Sequence, residues 1–522
     1  MNLSRRAFIG TSAALAAELF SAPADAKSPN PALEKLADNA LREAKKLKAS
    51  YCDIRINRYR DQNVAMRLNP ERGTSKTLEV PNVSDSGSFG FGVRVIVDGA
   101  WGFAASPTVT AEEIARITQE AVTVAKANAS IKLRPVVLAP VKAYKDRWAS
   151  PFERDPFEVP IAEKLQLLSE VTREIKKQQK VFSSTGFLEF HSEDKYFASS
   201  EGSSIQQLIV QTFSIITANA VDQQRRLSKQ RSYVPTPLAT GYEFVAQMNL
   251  KENAARIREE VVEHLMAPPV QPGKKDLILM PSHLFLTIHE SVGHPTELDR
   301  ALAYEANYAG TSYLTPDKLG KMRVASDIVN FYGDRTIPKG LATVAYDDDG
   351  VKTTKFPIVT KGIFTGFQTI RDQAHLVGEK ASKGCCYADS WSSVPFQRMP
   401  NVSMEPGADD QTLDDLISGV DDGILIEGRG SYSIDQQRYN FQFGGDSFYA
   451  IKGGKKQGMI SQVAYQARTP DFWQACDAVA GRSYWQLYGS GNDGKGEPPQ
   501  INSMSHGCSP ARFRQIDVIQ TD

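Results

Sequence analysis

The hydrophobic positions in the first part of the chain follow a helical period and then a strand period. Apolar residues recur at helical spacing from Pro31 to Leu47, and beyond them Cys52, Ile54 and Ile56 alternate with polar neighbours. The first pattern predicts an amphipathic helix and the second a half-buried strand. Together they predict a helix that packs against a sheet.

The same mixture of periods continues for another 200 residues or so. Residues 89–105 predict a hairpin whose tight turn is Asp98-Gly99. Thr110, with Glu113 three residues later, predicts a capping box at the start of a helix over 111–127. Further segments predict a helix over 162–176, strands over 187–191, 196–199 and 205–213, and a helix over 251–266.

A Pro/Gly-rich segment at residues 267–274 interrupts this pattern. Such segments connect domains, and 522 residues are too many for one ordinary core. We therefore expect an N-terminal α+β domain at 27–266, a linker at 267–274, and a second domain at 275–522. The second part shows an apolar strand, a short helix and then many short β runs between glycines. The predicted fold class is α+β, with a β-rich C-terminal domain that carries this helix.

Charge gives little indication of a partner. Lys+Arg and Asp+Glu both number 61, and no segment concentrates basic residues beside aromatic ones. A nucleic-acid surface would require such a segment, so we expect no nucleic-acid partner.

The first 26 residues have the order of a twin-arginine export signal. Arg5-Arg6 precedes a short apolar run, which is followed by Ala24-Asp25-Ala26. The run is shorter than the ~20 apolar residues that a membrane-spanning helix needs, and the small residues suit a signal peptidase. We expect a signal at 1–26, recognition by the twin-arginine machinery, and a periplasmic mature chain that begins at Lys27.

Cysteine usage argues against a disulfide framework or a structural zinc ribbon. Five cysteines are few for an exported chain of this length, and none forms a C-x-x-C pair. The odd number leaves at least one thiol without an intrachain partner.

The strongest chemical signal is the segment from His289 to His294, which reads H-E-x-x-x-H. It is one residue longer than the H-E-x-x-H pattern of zinc peptidases. On an ideal helix, side chains five positions apart lie ~140° apart, so a shared metal requires the helix to end or bulge. We expect Gly293 and Pro295 to supply this break, with Pro295 turning His294 off the helix.

Such a site would give Glu290 a specific task. Two neutral imidazoles bind a divalent metal, and a nearby carboxylate takes a proton from the attacking water and returns it to the leaving amine. On this interpretation His289 and His294 are metal ligands and Glu290 is the general base of a peptidase.

At this point the sequence resembles the TldD/PmbA metallopeptidases, and specifically their TldD-like catalytic branch. The resemblance rests on HESVGH with the segment after it, and on four other stretches in the same order: GVRVIVDGAWGFAA, RMPNVSMEPG, DGILIEG and SHGCSPARF. It implies an active site inside a closed dimer, formed with a second copy or with a homologous metal-free subunit. It also implies unfolded or flexible peptides as substrates, held as an added β-strand.

One position departs from the family. The resemblance implies a third metal ligand, a cysteine in a Cys-Gly-Lys-Gly stretch, where this chain has Asp493-Gly494-Lys495-Gly496. Aspartate carries the same charge as a thiolate and binds zinc, so we expect a His/His/Asp zinc site, with Mn and Fe as alternatives. Cys508 is the alternative third ligand, and we rank it below Asp493.

Several neighbouring residues have two readings. Glu297 and Asp299 are either supports of the ligand histidines or solvated charges, and His506 is either an oxyanion donor or a structural histidine. Two other functions also remain open: a non-catalytic partner subunit that closes a dimer around a peptide, and a metal-binding maturation protein.

Overall fold

The computed structural model describes residues 16, 19–20, 28–71, 76–496 and 498–521. The expected export signal at 1–26 and its cleavage site fall almost entirely outside these residues. Within the described ranges, no helix combines the length and apolar character needed to cross a bilayer.

The helices of the described residues lie between the strands, and four of them have 16–19 residues. The α-helices are α1 (Pro31–Lys46), α2 (Ala111–Ala129), α3 (Ile161–Lys176), α4 (Glu243–Gln247), α5 (Leu250–Met266), α6 (Pro281–Ile288), α7 (Leu298–Ala301), α8 (Leu413–Ser418) and α9 (Thr469–Gln474).

One long sheet dominates the N-terminal part. Its strands are β1 (Tyr51–Pro70), β2 (Thr77–Val97), β3 (Ala100–Ser106), β4 (Lys145–Ala149), β5 (Val181–Ser199), β6 (Ser204–Asp222) and β7 (Leu227–Tyr233). The order across the sheet is β3-β2-β1-β5-β6-β4, and β7 also pairs with β6. Helices α1 and α2 bury their apolar faces in one core at this sheet, and α3 and α5 bury theirs in a second core.

The hairpin at 89–105 is confirmed, because β2 and β3 join at Asp98-Gly99 and both residues have positive φ (50° and 73°). Two local expectations are wrong. The strands expected at 187–191 and 196–199 form the single strand β5. The capping box is only half formed, since Thr110 accepts from the Glu113 amide but the Glu113 carboxylate binds Arg116 instead.

The C-terminal part is built mostly of short strands. They are β8 (Gly273–Leu279), β9 (Phe331–Asp334), β10 (Lys355–Thr360), β11 (Ile363–Phe364), β12 (Cys386–Tyr387), β13 (Phe396–Gln397), β14 (Val402–Met404), β15 (Asp422–Glu427), β16 (Tyr432–Ile434), β17 (Asn440–Phe443), β18 (Ser447–Lys452), β19 (Lys455–Met459), β20 (Val463–Arg468), β21 (Cys476–Val479), β22 (Gln486–Lys495), β23 (Gln500–Cys508) and β24 (Ala511–Gln520).

Strand β8 occupies the middle of the main C-terminal sheet. The order is β16-β17-β20-β24-β8-β15-β18-β19, with β8 parallel to β15 and antiparallel to β24. Three further sheets surround it, among them the two-stranded pair β22 and β23. The α+β class with a strand-rich C-terminal part is therefore confirmed.

Candidate metal centre

The helix that follows β8 carries the site into the core. Pro281 begins α6, where its missing N–H and fixed φ suit the first helical turn. Leu284, Leu286 and Ile288 are each at most 2% exposed, so the helix is packed on all sides rather than amphipathic. A helix buried in this way is a rigid support for the side chains at its C-terminal end.

The extra residue of the motif is absorbed by a π-helical turn. Residues His289–Gly293 form this turn, and the amide of His294 donates to the carbonyl of His289, five residues earlier. A π turn widens the helix by one residue, so side chains five positions apart come to the same side. The two imidazole centroids are consequently only 4.5 Å apart.

The expected source of the break is therefore wrong in part. His294 keeps helical angles (φ −61°, ψ −46°), so Pro295 does not turn it off the helix. Gly293 is also helical in φ and ψ, and its small size matters instead: a Cβ there would lie 2.6 Å from the sulfur of Met399. The break is a bulge inside the motif, ahead of the proline.

Asp493 meets both histidines from the opposite side. It lies on β22, and its Oδ1 is 3.5 Å from His289 Nε2 and 3.4 Å from His294 Nε2. One ligand atom from each residue lies within 4.8 Å of the others, and all three residues are buried. Ligands around a tetrahedral zinc with bonds of 2.0–2.1 Å are spaced ~3.3 Å apart, so this group fits a divalent metal.

The hydrogen bonds behind His289 free its Nε2 for a metal. His506 Nδ1 lies 2.7 Å from the carbonyl of Val402, so that nitrogen carries a proton and donates. His506 Nε2 is then the acceptor for His289 Nδ1, 2.9 Å away. Burial, followed by the nearby His289, holds the pKa of His506 well below its usual range, so it stays neutral. These two hydrogen bonds in series fix His289 in the tautomer that carries its proton on Nδ1.

A carboxylate has the corresponding task behind His294. Glu297 Oε2 lies 2.9 Å from His294 Nδ1, which leaves Nε2 as the free nitrogen. Burial acts to raise the pKa of Glu297, but Lys495, His294 and Arg300 together hold it below its usual range. Glu297 is thus an ionised support of the site. Asp299 contacts the same lysine, Lys495, at 2.8 Å.

Arg398 holds the third member of the group. Its Nη2 donates to Asp493 Oδ2 at 3.2 Å and to the Asp493 carbonyl at 2.5 Å, while Oδ1 faces the histidines. Burial acts to raise the pKa of Asp493, but His294 and His289 hold it well below its usual range. The carboxylate is therefore ionised, as a metal ligand must be.

The remaining predicted site residue, Glu290, is 3% exposed and forms an ion pair with Arg438, whose Nη1 donates to Glu290 Oε2 at 2.6 Å. Cys508 is a buried free thiol and is not one of the three residues grouped above. All five cysteines are buried and free.

Sequence reasoning missed the two arginines that hold the carboxylates. Arg398 begins RMPNVSMEPG, one of the stretches that carried the resemblance, so a signal for it existed. Arg438 lies in a turn between β16 and β17 and has no comparable motif around it.

A cavity of about 650 Å³ opens between the two parts of the chain, beside the site. Its walls include Phe187 and Phe213 from the N-terminal sheet and Phe285 and Tyr488 from the C-terminal part. It follows β22 as far as Asn492, the residue before Asp493. In the described part of the chain, β22 pairs with β23 alone, so its other edge has no strand partner.

Comparison with protein families agrees with this architecture. Family models match residues 77–125 as PmbA/TldA metallopeptidase domain 1, 154–267 as the central domain and 272–520 as the C-terminal domain. The chain belongs to the TldD/PmbA family. Every residue of the metal centre described above lies in the segment matched by the C-terminal domain of the TldD/PmbA family.

Individual TldD/PmbA relatives resemble the chain over most of their length. A metalloprotease of Methanocaldococcus jannaschii is 26% identical over 456 residues, which is 86% of this chain and 93% of the relative. A zinc metalloprotease TldD homolog of Saccharolobus solfataricus is 23% identical over 445 residues, covering 84% and 91%. The crystal structure of TldE from Thermococcus kodakarensis superposes with a TM-score of 0.67 at 18% identity, covering 92% of this chain and 99% of TldE. This last likeness shows a shared fold.

Proposed function

We propose that the protein is a zinc-dependent peptidase that hydrolyses unfolded or flexible peptides with an activated water. The observation that carries the proposal is the convergence of His289 Nε2, His294 Nε2 and Asp493 Oδ1, at 3.4–3.5 Å from the carboxylate oxygen to each nitrogen, with Glu290 next to His289 in the chain. The relatives named as metalloproteases support the same conclusion.

In this proposal the three residues hold the metal, for which zinc is the first choice and Mn or Fe the alternatives. When bound, zinc supplies a Lewis acid and lowers the pKa of water to ~7. The chain's own contribution to proton transfer is Glu290. Its carboxylate accepts the proton of the attacking water and later donates it to the nitrogen of the leaving amine.

The cavity supports a peptide as substrate. We propose that an extended chain adds by main-chain hydrogen bonds to the edge of β22 that has no strand partner, and runs along the cavity towards Asp493. Aromatic side chains line this path, whereas main-chain pairing tolerates many substrate sequences. A folded domain would not fit a cavity of about 650 Å³, which suits flexible substrates.

Two parts of the proposal concern the setting of the enzyme. We propose that the chain pairs with a second copy or with a homologous subunit, to which the TldE fold is similar. We also propose export by the twin-arginine route to the periplasm, on the strength of Arg5-Arg6 and the small residues at 24–26.

The test is metal content and peptidase activity of the purified protein, with casein as substrate. The wild type should contain about one zinc per chain and cleave casein, and Asp493→Ala should lose both. Glu290→Gln keeps the size and shape of the side chain, so it should keep the zinc and lose hydrolysis. Metal bound without hydrolysis in the wild type would favour a metal-binding maturation protein, and absence of both would favour a non-catalytic partner subunit.

A further inference from the structure

Arg438 contacts Glu290 from the turn between β16 and β17, at the edge of the sheet whose strand β8 leads into the helix that carries Glu290. Its Nη1 lies 2.6 Å from Glu290 Oε2, and both side chains are largely buried (14% and 5% exposed). A charge-assisted hydrogen bond of this length in a buried setting is among the stronger polar contacts that a protein makes. It restricts the rotation of the Glu290 carboxylate.

The backbone at Arg438 is held in an unfavourable conformation. Its φ is 64°, in the left-handed region that glycine adopts more readily than arginine. The turn is fixed from several sides: the Asp435 carboxylate accepts from the amides of Tyr439 and Asn440, and the Arg438 carbonyl accepts from Thr469 Oγ1. These hydrogen bonds hold an arginine in a backbone conformation that glycine would adopt with less strain.

The guanidinium carries a second cost. Among the described residues, the buried Nε of Arg438 has no hydrogen-bond partner, and burying a polar group without a partner is unfavourable. A residue with a strained backbone and an unpaired buried donor adds little to stability by itself. The remaining gain at this position is the contact with Glu290.

We propose that Arg438 is a positioning residue for peptide hydrolysis, which holds the Glu290 carboxylate in its reactive orientation. The inference rests on the proposed function. With Oε2 bound by the guanidinium, Oε1 is the oxygen that accepts the proton from water and returns it to the leaving amine. Loss of the arginine lets the carboxylate rotate away, and misplacement of a reacting group by about 1 Å can lower a rate by ~10²-fold.

The strained backbone provides a decisive variant. Arg438→Gly removes the guanidinium and relieves the positive φ, but it also leaves the buried Glu290 carboxylate without its ion-pair partner, so we expect some loss of stability. The matched control is Arg226→Gly, because Arg226 also has a positive φ (56°) and lies in the exposed turn between β6 and β7. Arg438→Lys keeps the charge but not the fork of donors, and should restore part of the activity.

The experiment combines four measurements on the full-length protein: zinc content, melting temperature, kinetics on a casein-derived peptide, and calorimetric binding of a phosphinic analogue of that peptide. Arg438→Gly should keep its zinc, and its melting temperature, which loss of the buried ion pair lowers, should stay above the assay temperature. It should lose ~10²-fold in kcat with little change in KM, and the analogue should bind correspondingly more weakly. In the Glu290→Gln background, Arg438→Gly should not weaken analogue binding further, because the arginine acts through Glu290.

Three results would overturn the inference. They are normal kcat in Arg438→Gly, loss of zinc from Arg438→Gly but not from Arg226→Gly, and an additive effect on analogue binding in the Glu290→Gln background. If the wild type hydrolyses the peptide and Arg438→Gly does too, only this inference fails. If the wild type neither holds zinc nor hydrolyses peptide, the proposed function fails and the inference fails with it.

Discussion

The Nε2 atom of His506 lies 2.9 Å from the Nδ1 atom of His289, and it is the nitrogen that keeps His289 in the tautomer a metal needs. We predict that His506→Phe, which keeps a ring but removes the acceptor, weakens zinc binding by about 10–100-fold without removing any ligand. Competition with a chromophoric chelator measures this change. The exposed His375 provides the control, and His375→Phe should bind zinc like the wild type.

The identity of the third ligand predicts opposite effects of two substitutions at Asp493. Asp493→Cys should keep zinc, because a thiolate binds zinc at ~2.3 Å and carries the same charge. Asp493→Asn should lose most of it, because a neutral amide is a poor zinc ligand. Cobalt substitution supplies an independent readout, since a thiolate ligand adds an intense absorption band in the near ultraviolet. Wild-type zinc content in both variants would show that Asp493 is not a ligand.

Acid sensitivity should depend on His283. Its ring lies between the Gly428 carbonyl and the Tyr465 hydroxyl, and burial lowers its pKa from 6.5 to about 4. Because the folded-state pKa lies below the unfolded one, this contribution to stability is complete above pH 6.5 and is lost as the pH falls through 4. His283→Gln should therefore show a flatter fall in stability between these values.

Urea unfolding of wild type and His283→Gln measures this, with chelator present throughout so that metal release does not contribute. Parallel curves for the two proteins between pH 6.5 and pH 4 would contradict the assignment.

His264 should be a point where the protein can be stabilised. Both ring nitrogens are buried without a partner in the described structure, and the ring packs edge-on against Phe448. Leaving buried polar groups unpaired costs about 1–3 kcal/mol, and for a chain of this length His264→Leu should therefore raise the melting temperature by about 1–3 °C. Differential scanning calorimetry tests this, and an unchanged or lower value would mean that the ring contact outweighs the unpaired nitrogens.

Periodicity predicted the elements that lie on the surface of a core, such as α1, and the turn chemistry of Asp98-Gly99 predicted the β2–β3 hairpin. Periodicity predicted two strands in place of β5, because the residues from His191 to Tyr196 are mostly charged or polar. Those charges are buried and paired: Lys195 contacts Asp348, and Arg58 contacts Asp194. A pattern of neighbouring residues cannot predict ion pairs with partners so far away in the sequence.

The sequence likewise predicted some features of the metal centre and not others. The spacing of His289 and His294 demanded a distorted helix, but sequence could not tell a π turn from an early helix end, because Gly293 suits both. The prediction that Asp493 is a metal ligand came from the family resemblance alone. Arg438 lies in a turn nearly 150 positions after Glu290 in the sequence. No sequence pattern around it predicts the contact.

The position of β8 between β15 and β24 has a kinetic consequence. Strand β8 ends at Leu279, whereas its two neighbours begin at Asp422 and Ala511, so the sheet beneath the site closes only through contacts of very large sequence separation. Contacts of this kind form slowly, because the loop entropy is lost before the pairing is gained. The ligand-bearing helix therefore gains its support late in folding. We therefore expect the proposed peptidase activity to appear only after this late step.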